Sequence, residues 1–497
     1  MKLKIKVVAA LLVSGFAMAG CNKDFDKTNT NPNGVAFTTP ESLVEDAVYD
    51  IVTRNQTRAL RLTNELMQVH VTTVNSDEIH RYIIRPAESD YMWNNWYVEL
   101  TNIRDMYNNA KKLNDPAFQG VALILEAWVF SLLTDVYGDV PYSEALKGNS
   151  DHIYQPKFDA QKDIYADLLR KLEEANTVLQ TAKTYTADVV SREPIFGKAI
   201  DMSNPETGST NFRNAWRKFG NTLYLRLLLR VSGKSELNAV EKIKEICQTK
   251  KSSYPMFNSN AESAVLRFTN TAPYVSAFNT YRDFDFNGDN GLSQFFINTL
   301  NDWEDPRRAS WANTVGVSNY EGVPSGYLPG QIPERLSTYR VALKNEPLLG
   351  NIINYPELQF MLAEAALKGY FTGDPKTYYE NGVNNAITFW NQAVPAGHLA
   401  KPGIAWDPAE TDAQKLEKII TQKYFTFFFT DFQMWIEHRR TGYPTLPIGP
   451  GVQNNQQMPA RLKYPVAVQT LNRVNYQSAV EAMGGDDINV KVWWNKQ

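Results

Sequence analysis

The sequence predicts a mainly α protein, built from tetratricopeptide-like helical hairpins and broken by long irregular loop insertions. Three observations predict it. Apolar residues recur at i, i+3, i+4 and i+7 in stripe after stripe. Glycine or proline closes several stripes and leaves only short turns between them. Residues 252–350 lose the rhythm and become rich in Asn, Gly, Pro and aromatics, as a functional loop region does.

The elements follow in chain order. Residues 1–20 read as an export signal. Lys2, Lys4 and Lys6 precede the apolar run Val7–Ala19, which is too short to span a bilayer comfortably. Ala19-Gly20-Cys21 closes it, the setting in which a bacterial lipoprotein is cut and its cysteine acylated. Residues 21–40 are polar, rich in Asn, Thr and Pro, and read as a flexible tether. Residues 41–497 form one helical domain, with the loop-rich insertion at about 252–350.

Within that domain Leu43, Ala47 and Ile51 mark the first helix, and Trp96, Leu100, Ile103, Tyr107 and Ala110 the next. Residues 118–137 carry the cleanest stripe, from Val121 to Val136, with Gly138 as its stop. Ile164 to Leu179, Phe212 to Leu229, Tyr355 to Ala366 and Leu416 to Phe428 repeat the pattern. Residues 183–211, with Pro194 and Pro205, and the proline-rich tail 440–475 are expected to be irregular or extended.

Composition narrows the function classes. The chain has 51 Lys and Arg against 54 Asp and Glu, and loss of the leader's three lysines shifts the net charge to −6. No basic footprint for nucleic acid results, and no polybasic membrane patch. Beyond the leader no stretch reads as a membrane span. Cys21 and Cys247 are the two cysteines; Cys247 falls on the apolar stripe of a short helix and reads as a buried thiol. Gly-x-Ser-x-Gly, a phosphate-binding loop and His-Glu-x-x-His are all missing, and the five histidines are scattered. The chain is expected not to be an enzyme, and no motif in it requires a cofactor.

Several segments together carry a resemblance. They are Asn29–Gly34, Tyr137–Tyr142 (Tyr-Gly-Asp-Val-Pro-Tyr), Trp216–Arg226, Asp305-Pro-Arg307, Ala363-Glu-Ala365, Gln422-Lys-Tyr424, Trp435–Pro444 and Arg461–Pro465. In this order the chain resembles the SusD/RagB family of outer-membrane lipoproteins, in its SusD-like branch. The resemblance implies four tetratricopeptide-like helix pairs, a bacterial cell-surface location and a non-catalytic role in nutrient capture. It also implies a TonB-dependent (SusC-like) outer-membrane transporter as partner. Family members deliver glycans to it, some of them peptides. The motifs themselves read as scaffold: Arg226, Arg439 and Arg440 suit pairing with carboxylates between helices.

Candidate site residues come from the aromatics, 12% of the chain. Sugar rings stack their C–H faces on Trp and Tyr while amides and carboxylates bond the hydroxyls. Two loop-like segments offer that mixture. One supplies Asp77, Arg81, Tyr82, Tyr91, Trp93 and Asn94; the other supplies Tyr281, Trp311 and Tyr320. An oligosaccharide is the expected ligand, a peptide the alternative, and a protein-binding helical scaffold the rival from another class. Asp283, Asp285, Asn287 and Asp289, with Gly288 at the sixth position, follow the spacing of a calcium loop, although Gln294 stands where a bidentate Glu belongs. A structural calcium ion is the metal reading; an ordinary Asn/Asp/Gly turn is the alternative.

Overall fold

The computed structural model describes residues 38–74, 79–269 and 271–496. The leader, most of the tether with Cys21, and Asp77 lie outside these residues. The body running from Pro40 is mainly helical. Its main helices are α1 (Pro40–Arg58), α2 (Ala87–Lys112), α3 (Pro116–Tyr137), α4 (Gln161–Val178), α5 (Pro205–Arg230) and α6 (Gln294–Asp302). They continue with α7 (Tyr355–Leu367), α8 (Pro375–Phe389), α9 (Asp412–Thr426), α10 (Gln433–Thr441) and α11 (Arg473–Met483).

Local chemistry sets the helix starts. Asp115, Asn204, Asn354 and Asp374 cap α3, α5, α7 and α8 through a side-chain oxygen, and each is followed by Pro in the first turn. The cap satisfies an orphan N–H, and proline lacks the N–H that would otherwise be unpaired there. Pro205 therefore opens α5 rather than interrupting the chain. A reciprocal Thr411–Gln414 box starts α9. Gly138 ends α3 at φ +91°, a conformation that disfavours any side chain, and a Cβ there would fall 2.7 Å from the Met483 sulfur.

Neighbours in sequence pack as neighbours in space: α1 on α2, α2 on α3, α3 on α4, α4 on α5, and later α7 on both α8 and α9. This is the helical-hairpin stack that the periodicity predicts. Among the described residues one helix, α3, is as long and apolar as a membrane span, and it is buried inside the body as the core of the first half. The tail differs from expectation. Residues 443–465 are irregular, but Val466–Leu471 and α11 are helical.

Among the described residues six short strands make three antiparallel pairs: β1 (His70–Thr72), β2 (Val140–Pro141), β3 (Phe158–Asp159), β4 (Ala264–Val265), β5 (Asn290–Leu292) and β6 (Asn351–Ile353). β2 pairs with β3, and β4 with β6. The pair beside the candidate site is β1 with β5, in the register His70 to Leu292, Val71 to Gly291 and Thr72 to Asn290. It ties the chain after α1 to the long loop region more than two hundred residues later.

A candidate binding cleft

The β1–β5 ladder draws the two aromatic segments to one place. Thr73 extends it, donating its amide (2.9 Å) and hydroxyl (2.6 Å) to the Asp289 carbonyl. Beside the ladder the α1 backbone loosens into a π-helical turn, Ala59–Thr63, before resuming at Asn64–Leu66. Such turns are rare and frequently accompany functional sites. Between turn, ladder and loop lies a cleft of about 650 Å³. Thr57 lines it from α1, and Leu60 and Arg61 from the π-turn; Ile79, Ile83, Arg85 and Glu88 from the first segment; Phe278, Tyr281, Asp285, Asp289 and Asn290 from the second.

Its lining is half-fixed by pairing. Glu88 is held in an ion pair by Arg58, whose guanidinium also lies over the Tyr91 ring at 4.7 Å. Tyr281 is half-buried and rests edge-on against Phe278, with ring centroids 5.6 Å apart. Asp285 receives both forks of Arg282, at 2.7 and 2.8 Å, which hold its carboxyl below the usual range. The cleft thus presents an aromatic face beside amide, carboxylate and guanidinium groups, the chemistry a carbohydrate needs.

The candidate residues divide. Tyr281 lines the cleft; Tyr91 does not, lying one helical turn beyond Glu88 against the Arg58 guanidinium. Asn94 is exposed on α2. Tyr320 is half-buried beneath the Arg308 guanidinium at 4.5 Å and does not line the cleft. Arg81 and Tyr82 are buried, and burial pushes the Tyr82 phenol up to about 12. Two tryptophans are corrected outright. Trp93 lies well inside α2 and meets Tyr137 edge-on at 5.1 Å. Trp311 is fully buried, stacked on Phe428 at 4.4 Å with Arg307 5.3 Å from its ring. Neither offers a face to a ligand. Trp96 is buried mid-helix, where its indole N–H donates to Asn55 at 2.9 Å.

The calcium reading does not fit either. Residues Asp283–Asn287 form a helical turn, so side chains two apart diverge instead of converging. Asp283 pairs with Lys344 at 3.1 Å, and the Asn287 amide donates to the Tyr339 carbonyl at 3.1 Å. Among the described residues no group of three or more His, Cys, Asp and Glu is placed to hold a metal ion. Arg61, Arg85, Glu88 and Phe278 are cleft residues that the sequence reading passed over. Arg85 and Glu88 stood inside the first segment; Arg61 depends on the π-turn, which leaves no mark in the sequence.

The comparisons with known proteins settle the family. The SusD-like family model, described as starch-binding and associating with the outer membrane, matches residues 32–465. The chain belongs to the SusD-like family. No curated protein matches it. A SusD homologue from Bacteroides fragilis superposes with a TM-score of 0.76 at 23% identity, covering 93% of this chain and all of that one. A chitin-binding SusD homologue from Flavobacterium johnsoniae gives 0.75 at 21%, covering 92% and 99%. A further chitin-binding protein gives 0.72 at 27%, covering 92% and 100%.

In this SusD-like protein the shared motifs are scaffold. Arg226 of α5 grips Glu357 of α7 through two bonds, at 2.7 and 2.6 Å, both partners buried. Arg440 of α10 grips Glu364 of α7 at 2.6 Å through both forks and reaches Glu437 at 2.8 Å. Lys423 of α9 meets the same Glu437 at 2.7 Å, and Arg230 pairs with Asp135 of α3. Arg439 departs from the expected carboxylate pairing. Its guanidinium donates to the carbonyls of Ala460 and Asp135 and lies 4.0 Å over the Trp435 ring. Cys247 is buried, and desolvation pushes its thiol up to about 12.

Proposed function

We propose that this protein captures an oligosaccharide at the bacterial cell surface without turning it over, and passes it to a TonB-dependent outer-membrane transporter. Acyl chains on Cys21 would hold it to the outer membrane. The observation that carries the reading is the cleft beside the β1–β5 ladder, where Tyr281 stands among paired charges and amides. Family membership and the chitin-binding relatives support a glycan as the ligand, with β-linked N-acetylglucosamine and α-linked glucose oligomers the first to try.

A shallow site that must release its ligand gains nothing from slow dissociation, and affinity differences reside mostly in release rates. The expected Kd therefore lies in the micromolar to millimolar range, about −4 to −8 kcal/mol. Calorimetric titration of the mature protein with an oligosaccharide panel tests this, with chromatography of the recovered ligand to look for products. Binding of a peptide pool with no glycan bound would replace the carbohydrate reading; product formation would end the non-catalytic one.

A further inference from the structure

We propose a second carbohydrate-binding cleft, between α7, α8 and the segment 254–258. It rests on the glycan reading above only for the class of its ligand. The cavity measures about 460 Å³, within the range of small-ligand sites. Tyr355, Gln359 and Leu362 line it at helical spacing along one face of α7, and Tyr378 and Asn381 one turn apart on α8. Both tyrosines are half-buried, so each ring keeps an open surface while the fold holds it; Tyr378 leans on Phe371 with centroids 5.9 Å apart.

Gln359 supplies the independent observation. The residue is 5% exposed, lines the cavity and makes no side-chain hydrogen bond among the described residues. Its amide is not one of the fully enclosed unpartnered polar atoms, so it opens to the water of the cavity, and a ligand hydroxyl could take that water's place. A second π-helical turn, Glu245–Thr249, sends Ile246 and Cys247 to the wall, as the first such turn sends Leu60 and Arg61 to the other cleft. Lys251 is the one charged residue of the lining. Two aromatic faces, amides and almost no charge select a neutral pyranose over an anionic sugar or a charged peptide.

The test is calorimetric titration of the mature protein with neutral oligosaccharides of α-linked glucose and β-linked N-acetylglucosamine. Wild type is compared with Gln359→Met, Tyr378→Ala and Tyr281→Ala, each checked for folding by thermal melting. Gln359→Met keeps the side-chain volume and so guards against a variant that merely unfolds. The expected result is two sites, the one at α7–α8 weakened about tenfold by Gln359→Met or Tyr378→Ala and untouched by Tyr281→Ala. A single site lost in Tyr281→Ala and unchanged in the other two overturns this cleft and leaves the first standing. A site lost in Gln359→Met with Tyr281→Ala indifferent supports this cleft and removes the first. No glycan bound to wild type overturns both.

Discussion

A half-buried tyrosine held edge-on to Phe278 keeps one face for a ligand, whereas a fully enclosed tryptophan keeps none. Tyr281→Ala is accordingly expected to weaken oligosaccharide binding about tenfold with little change in melting temperature. Trp311→Ala should do the reverse: it empties a space lined by Phe296, Phe428 and Trp390 and should cost about 3–5 kcal/mol, read by denaturant unfolding. Unchanged stability in that variant would show that the ring is not core. The contrast also shows why the site was only half legible in the sequence. Trp311 and Tyr281 both stood in aperiodic, aromatic-rich sequence. What separates them is tertiary: a hydrophobic wall closes over one, and the β1–β5 ladder places the other beside α1. A second single-residue case is Glu99, which burial pushes up to about 7. The folded state then holds its proton more tightly than the unfolded chain, whose carboxyl titrates near 4.3. Its contribution is full below the unfolded value and is lost as pH rises through about 7. Glu99→Gln should therefore stabilise the protein above about pH 8 and lose that advantage near pH 4, a crossover visible in melting curves.

Between elements, buried charge pairs add to the apolar packing. Glu364 of α7 receives Arg440 of α10 and, at 2.8 Å, Lys368, and these hold its carboxyl down to about 2 despite burial. Glu437, met by Arg440 and Lys423, is also held well below its usual value. A depressed carboxylate contributes stability that is present above the unfolded value near 4.3 and lost as pH falls through the folded one. Acid unfolding should therefore set in between about pH 4 and 2. Arg440→Met should move it to higher pH and cost about 3–5 kcal/mol at neutral pH, because two buried carboxylates lose a partner. An unmoved acid transition would show that these pairs do not join the helices. The helical turn at Asp283–Asn287 carries its own expectation: chelator should leave the melting curve unchanged, since Asp285 and Asp283 are already paired with Arg282 and Lys344. At this scale legibility depended on apolar periodicity. Stripes such as Val121–Val136 gave their helices directly, but α8, PKTYYENGVNNAITF, is too polar to show one. Its start was signalled by Asp374-Pro375, the same cap-then-proline pair that opens α3 and α5. The carboxylate partners of Arg226 and Arg440 stayed hidden because Glu357 and Glu364 are distant in sequence.

On the proposed reading, attachment and recognition fall on separate parts of the chain. Both clefts are built from residues of the helical body that begins at Pro40, and the residues that read as a lipidation signal lie wholly before it. One myristoyl-length chain gives only marginal membrane affinity, so stable anchoring requires the several acyl chains that a lipoprotein cysteine gathers on one residue. Loss of that residue should then remove the anchor and nothing else. Cys21→Ala, expressed in a bacterium that processes lipoproteins, is expected to leave the outer-membrane fraction while the purified protein binds oligosaccharide with wild-type affinity. Fractionation reports the first quantity and calorimetry the second, so the two halves fail independently. A variant that stays with the outer membrane would place the anchor elsewhere, in the proposed transporter partner or in another segment. A variant that leaves the membrane but binds weakly would show that the region before Pro40 takes part in recognition.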